Sequence, residues 1–432
     1  RLLKQAHPAL KIVLGGPEVS HELEDQAIVA LADHVVTGWG DISFPKLCRA
    51  LLLGPQPLMK VIVGEQPPLE QIALPYAEYS IADLAHRVLY VEASRGCPFK
   101  CEFCLSALDK TAWAFDLELF MAQMETLYRR GARNFKFVDR TFNLKVDFSV
   151  RILQFFLERI TPELFIHFEV VPDSLHDRLK ELIAQFPAGS LQFEVGIQSF
   201  NPEVQQRISR KQDNFKTAEN LRWLVTQSRA HVHADLIFGL PGETIESFAE
   251  GFDRLYALAP HEIQFGILKR LRGTPITRHT ADYGMVYDPQ TPYTILQNST
   301  VDFITMQRIK RFARYWDMVV NSGRFSKALT LLLAHGSAFN HFLNFSDWLW
   351  QTTGKTHEFA YEKLVDLMHQ HLTAVRGWAD DEVCAALLTD YAASGARGRP
   401  QCLALSLARA ALPSKATDTR RNERQTRHLA QA

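Results

Sequence analysis

Residues Val88-Leu89-Tyr90-Val91-Glu92-Ala93-Ser94-Arg95-Gly96-Cys97-Pro98-Phe99-Lys100-Cys101-Glu102-Phe103-Cys104 carry an apolar, β-forming run straight into three closely spaced cysteines. The first part, 88–93, has the length and composition of a buried strand. Five more such runs follow, at 134–138, 165–170, 191–197, 233–238 and 262–268. Helix-length segments separate them, at 116–130, 147–159, 175–185, 215–228 and 244–258. Strands that alternate with helices mean βαβ units and a parallel sheet. Right-handed crossovers then leave two architectures, an open doubly wound sheet or a curled barrel.

Outward from this stretch the chain changes character. Segment 1–63 reads as α/β: a short strand at 11–14 ends in Gly15-Gly16-Pro17, a helix spans 23–32, a second strand spans 34–37, and 44–53 is amphipathic. Segment 64–85 contains Pro67, Pro68 and Pro75 and reads as an extended linker. The barrel-like unit takes 86–285. From 286 to 394 helical signals dominate, for example at 295–320 and 358–375, and 395–432 is a basic tail ending in the Arg-rich run 420–428. The chain starts at Arg1, inside a helix that feeds a strand, so an N-terminal portion is expected to be missing.

Composition sets limits. Of 432 residues, 47% are hydrophobic and 22% charged, enough for a large core. The 48 basic residues balance the 48 acidic ones, which gives no global reason to expect nucleic acid or a membrane surface as partner. The most apolar long stretch, 328–350, is interrupted by His335, Asn340, His341, Asn344 and Asp347 and reads as a buried or amphipathic helix rather than a membrane span. Six cysteines, three clustered and three isolated at Cys48, Cys384 and Cys402, make no disulfide framework. They point to a metal site in a reducing cytoplasm, with the isolated three as small buried side chains.

The clustered cysteines follow a C-x₃-C-x₂-C spacing. Three thiolates so placed hold one face of an iron–sulfur cubane and leave one iron open, whereas clusters that only carry electrons take four protein ligands. A structural zinc site would need a fourth Cys or His. His86 and His167 are the available donors, and neither stands at a typical ligand spacing. A non-catalytic zinc- or cluster-binding interaction protein is therefore the alternative reading.

The Cys97/Cys101/Phe103/Cys104 pattern after the first strand resembles the signature of the radical S-adenosylmethionine (radical SAM) superfamily. That resemblance implies a 4Fe–4S cluster on Cys97, Cys101 and Cys104, with S-adenosylmethionine on the open iron and Phe103 near its adenine. It also implies a partial (β/α)6, TIM-like barrel, here with an incomplete N-terminal Rossmann-like α/β segment and a C-terminal α-helical domain. The chemistry implied is reductive cleavage to a 5′-deoxyadenosyl radical that attacks a small or unknown substrate, fed by a flavodoxin- or ferredoxin-type reductant.

Sites of parallel barrels gather at the C-terminal ends of strands. The polar groups delivered there are Arg95 with the cysteines, Asp139, Glu169, Gln198, Asp235 and Lys269. Glu194-Val195-Gly196-Ile197-Gln198-Ser199 and Asp235-Leu236-Ile237-Phe238-Gly239-Leu240-Pro241-Gly242-Glu243-Thr244 are similar to stretches of the oxygen-independent coproporphyrinogen oxidase branch. The resemblance implies contacts to S-adenosylmethionine from Glu169, Gln198, Arg210 and Asp235. A carboxylate suits ribose hydroxyls and an Arg fork suits the methionine carboxylate. The usual glycine-rich stretch after the second strand is replaced by Val138-Asp139-Arg140-Thr141-Phe142-Asn143, so Asp139, like Lys269, is a candidate for lining the site. The turns at Gly15-Gly16 and Gly38 resemble the last part of a cobalamin-binding domain. Cobalamin enters through that ancestry alone, since the cobalt-ligating loop of such a domain would precede Arg1. The segment from 288 resembles a helical domain attached to some cobalamin-type members, and its Trp348–Trp350 neighbourhood reads either as core or as a cover for the barrel mouth.

Overall fold

A computed structural model describes residues 1–109 and 112–404, so the Arg-rich run at 420–428 lies outside the described residues. The chain opens with α1 (Leu2–Ala6) and a parallel sheet of β1 (Val13–Gly15), β2 (His34–Thr37) and β3 (Val61–Val63). Helices α2 (Ala27–Leu31) and α3 (Ser43–Leu53) connect the strands. This front unit has its own small core of Val19, Val29, Ala32 and Val35.

The Pro-rich segment 64–85 departs from the extended linker expected of it. Two short 3₁₀ turns precede α4 (Ile81–His86), which a Ser80/Asp83 capping box opens. Tyr76 is buried, and its hydroxyl accepts the Glu92 N–H at 2.8 Å. One large aromatic ring is enough to fasten a segment that proline keeps out of regular structure.

The main sheet contains β4 (Leu89–Val91), β7 (Asn134–Phe137), β8 (Phe165–Val170), β9 (Leu191–Gln198), β10 (His231–Phe238) and β11 (Glu262–Ile267). A small antiparallel hairpin, β5 (Ser94–Gly96) with β6 (Ala112–Ala114), follows β4 and flanks the cysteine loop. Between strands lie α5 (Leu117–Arg129), α6 (Val146–Leu157), α7 (Asp177–Ile183), α8 (Pro202–Arg207), α9 (Asn214–Gln227) and α10 (Ile245–Ala257). All six expected strands are present. Neighbours run in chain order, β4-β7-β8-β9-β10-β11, and every pairing is parallel. A doubly wound sheet would reverse its order at a switch point, and this one does not. It is the partial barrel, with β4 and β11 as its edges.

Strand alternation divides the residues. Phe135, Phe137, Phe168 and Phe193 are buried on the helix-covered face, with Phe137–Phe168 ring centroids 4.5 Å apart. Lys136, His167, Glu169, Glu194, His233 and Asp235 occupy the alternate positions of the same strands. The register aligns Lys136 with His167, Glu169 with Glu194, and Glu194 with His233, so the inner face is a continuous polar surface.

After the barrel, the expected helix from Ile295 begins instead as a strand, β13 (Ile295–Gln297), paired with β12 (Val286–Tyr287). Helix α11 (Phe303–Val319) starts later, where Asp302 caps it by accepting the Thr305 N–H. Then follow α12 (Ser326–Leu332), α13 (Ala338–Thr353), α14 (Tyr361–Gln370) and α15 (Asp380–Ser394). These helices share one core with the barrel. Phe312 packs on Phe265 of β11 at 5.2 Å, and Trp316 on Phe252 of α10 at 4.8 Å. The Asn321 amide bonds both the N–H and the C=O of Ile263, which satisfies part of the β11 edge. Among the described residues no helix is long and apolar enough to cross a membrane; 328–350 forms α12 and α13.

Candidate active site

At the C-terminal ends of the strands lies a cavity of about 240 Å³. Cys97, Cys101 and Cys104 line one wall. Gly96, with φ at 89°, turns the chain out of β5, and the Cys104 N–H donates to the Cys101 carbonyl at 3.0 Å, which curls the loop. Cys101 is buried, the other two half-buried. Burial pushes the Cys97 thiol up to about 11 and raises that of Cys101, against which the Arg210 guanidinium acts from 3.6 Å. Thiols held neutral in this way are deprotonated by a bound metal. Among the described residues the lining contains no histidine and no fourth cysteine. His167 is engaged 3.2 Å from Glu194, and His86 is exposed at the end of α4. A closed zinc site lacks its fourth ligand here, whereas a three-thiolate cluster with one open iron fits.

Glu102, between two of the cysteines, holds this loop in place. It is 2% exposed. Its carboxylate accepts from Ser209 Oγ at 2.6 Å and from Arg278, and lies 2.8 Å from His279 Nε2. Its backbone bonds Ile208 and Ile276, both at 3.0 Å. The loops after α8 and β11 thus grip the cysteine loop through one residue. Sequence reading passed over Glu102 because its partners are far away along the chain.

The same cavity brings together Glu169, Gln198, Arg210 and Asp235, with Phe103 next to the cysteines in the chain. A bulge at the end of β9 aims Gln198: the β10 register jumps from Asp235↔Gly196 to Leu236↔Gln198, and Gln198 takes a left-handed φ of 72°. Gly196 makes room, because a Cβ there would sit 2.6 Å from Gln198 Nε2. Arg210 donates to the Gly196 carbonyl and, at 2.9 Å, to Gln212. Glu169 receives both bonds of Arg140 at 2.9 Å. Burial raises the Asp235 carboxyl well above its ordinary range, with Glu194 and Glu169 adding to the effect. Glu194 is held down at about 2, chiefly by its hydrogen bond with His167, with Lys136 adding. Arg140 and Glu194 are cavity residues that the sequence reading left without a role. Counting back by twos from Gln198 along the strand would have found Glu194.

Two candidates fall elsewhere. Asp139 turns away from the cavity: its carboxylate accepts the Ala93 N–H at 3.0 Å and Ser94 Oγ at 2.6 Å, tying β7 to the exit of β4. Lys269 is exposed and does not line the cavity, because its backbone pairs with Thr294 beyond the end of β11. Trp348 packs on Phe345 and His371, and Trp350 lies under Arg311, so neither covers the barrel mouth.

The front glycines sit at strand ends. Gly16 and Gly38 have φ of 97° and 68° with open space where a Cβ would stand, while Gly15 approaches the Val36 carbonyl. Ser20 joins the two turns, donating to the Gly16 carbonyl and accepting the Gly38 N–H. Glu18 and Glu22 fasten this unit to Arg272 and Arg270, at 3.0 Å each.

Residues 281–431 match a family described as a protein of unknown function, DUF4080. Over 294 residues the chain is 26% identical to an uncharacterized methyltransferase, PH0819, of Pyrococcus horikoshii, covering 60% of this chain and 61% of that one. Over 330 residues it is 26% identical to the 2-(S-pantetheinyl)-carbapenam-3-carboxylate methyltransferase of Streptantibioticus cattleyicolor, covering 68% and 48%. The chain therefore spans 61% and 48% of the lengths of these relatives. Among solved structures, the cobalamin-dependent S-adenosylmethionine radical enzyme OxsB, with aqua-cobalamin and S-adenosylmethionine bound, shares the fold. Its TM-score is 0.55 at 12% identity, over 97% of this chain and 70% of that one. Residues 91–255, which carry the three cysteines and the strands from β7 to β10, match the radical SAM superfamily.

Proposed function

We propose that this chain binds a 4Fe–4S cluster through Cys97, Cys101 and Cys104 and S-adenosylmethionine in the same cavity, and that it performs radical chemistry on a small substrate. The observation that carries this reading is one cavity lined by three thiols together with Glu169, Gln198, Arg210 and Asp235. Cys97, Cys101 and Cys104 would hold the cluster, which would supply one-electron reductive cleavage of the bound sulfonium. The residues present position and shield. Arg210 favours the Cys101 thiolate, Gln198 projects from its bulge, and Asp235 and Glu169 offer acceptors to ribose hydroxyls. The partly closed barrel limits water around a reactive intermediate. Glu102 keeps the cysteine loop in register without touching the cavity.

The names of the relatives support methyl transfer as the outcome, and the front unit supports cobalamin as the methyl carrier. Gly16 and Gly38 leave open backbone at two strand ends, and Glu18 and Glu22 fix that unit against the barrel. A flavodoxin or ferredoxin in a reducing cytoplasm would deliver the electron.

Anaerobic reconstitution tests the proposal. The chain should turn brown and, when reduced with S-adenosylmethionine, release 5′-deoxyadenosine or transfer a methyl group. Cys101→Ala should lose the colour. Asp235→Ala should keep the cluster and weaken S-adenosylmethionine binding; unchanged affinity removes Asp235 from the site. A colourless protein holding one zinc on the three cysteines would support the interaction-protein alternative.

A further inference from the structure

The helices after the barrel contain a second group of metal-type donors, remote in sequence from the cavity. His369 lies near the end of α14, and Asp380 and Cys384 occupy one face of α15 at i and i+4. His369 Nε2 is 2.9 Å from Asp380 Oδ1, and Cys384 Sγ is 3.8 Å from Asp380 Oδ2. One donor atom from each of the three residues lies within 4.8 Å of the other two. In a tetrahedral zinc site, metal–ligand lengths of about 2.0–2.3 Å put donors roughly 3.3–3.8 Å apart, so modest side-chain movement would close this group on an ion. Two further features frame it. Asp366, on the α14 turn before His369, accepts the Cys402 N–H at 2.9 Å, and the Cys402 carbonyl lies 3.8 Å from Cys384 Sγ. Directly after α14 the chain widens into a π turn at His371–Val375, a distortion frequent at functional sites.

We propose that His369, Asp380 and Cys384 form a site for a borderline-soft divalent cation of the zinc class. Thiolate and imidazole together exclude calcium and magnesium, which take oxygen ligands. Three protein ligands leave one position for water or an incoming group. Asp381 and Glu382 add negative charge at the start of α15, where the helix dipole alone would repel a cation. The bound ion would join α14 to α15. Cys384 is then a ligand, not the inert side chain its isolation in the sequence suggested. The site does not depend on the function proposed for the barrel.

The test uses the full chain with C97A, C101A and C104A combined, so that metal cannot occupy the barrel cysteines. Titration with cobalt(II) should give the intense visible bands of a tetrahedral site and a sulfur-to-metal charge-transfer band, both displaced by zinc. Adding C384A should remove the charge-transfer band, and adding H369A should weaken cobalt binding by more than about tenfold, the scale of even an outer-ligand loss. D380N, at an exposed position, should weaken binding as H369A does. Metal-free thermal unfolding of each variant should match the parent, which separates ligand loss from misfolding. Absence of cobalt bands in the parent, or bands that persist in C384A, overturns the proposal.

Discussion

The inner face of the barrel sheet and the turn that leaves β10 treat the same side chain in opposite ways. On the inner face Glu194 stands beside His167 and Lys136 and is held at about 2. At the turn after β10, Glu243 is buried with Ser199 Oγ as a close partner at 2.5 Å, and burial pushes it up to about 7. The inner face is a charged surface that opens on the cavity, and the outer side holds the aromatic core. The same side chain stays charged where a histidine and a lysine stand beside it and is driven toward its neutral form where burial outweighs its partners, as the Asp235 carboxyl also is on the inner face.

Removing bulk from the outer face tests this contrast most severely. Phe168 is fully buried and stacks on Phe142 at 3.9 Å. Phe168→Ala should cost about 3–5 kcal/mol in denaturant unfolding of the cofactor-free chain. A loss below about 1 kcal/mol would mean that stability does not reside there.

Glu102 belongs to neither face and ties the cysteine loop to both flanking loops. Glu102→Ala leaves Arg278 and His279 without their acceptor and should destabilise by roughly 3 kcal/mol. Iron retention after reconstitution should fall with it. Full retention at unchanged stability would show that the loop stands by itself.

The smallest effect is a pH dependence. Because the folded-state pKa of Glu243 is raised, folding takes up a proton there. That contribution is fully present below about pH 4.5, the ordinary value, and is lost as pH rises to about 7. The span corresponds to about 2–3 kcal/mol after relaxation. Glu243→Gln should flatten this part of the stability profile and make the chain the more stable of the two above pH 7. A profile identical to the parent's would place Glu243 in contact with water.

What could be read along the chain was local. Short apolar, β-forming runs announced all six barrel strands, and the cysteine spacing announced an open cluster, because both patterns lie within a few residues. Partners at a distance were not legible. Glu102 finds Ser209, Arg278 and His279 across separations of 107, 176 and 177 residues. Asp139 looked like a site residue at a strand end, but the hairpin after β4 offered it the Ala93 N–H and the Ser94 hydroxyl. Lys269 lost its place on the cavity to a backbone pairing with Thr294, and Tyr76 turned an expected linker into a docked edge.

The sequence by itself determined the parallel alternation of strands and helices, the three-thiol donor set and the residue types that face it. These follow from the length and composition of short runs and from ligand count, which need no knowledge of neighbours in space. Tertiary structure alone decided which strand-end groups converge: the bulge that aims Gln198, the clamp on Glu102, and the meeting of His369 with Asp380 and Cys384. Such meetings depend on how separate elements are packed against one another, a geometry that no stretch of chain encodes locally.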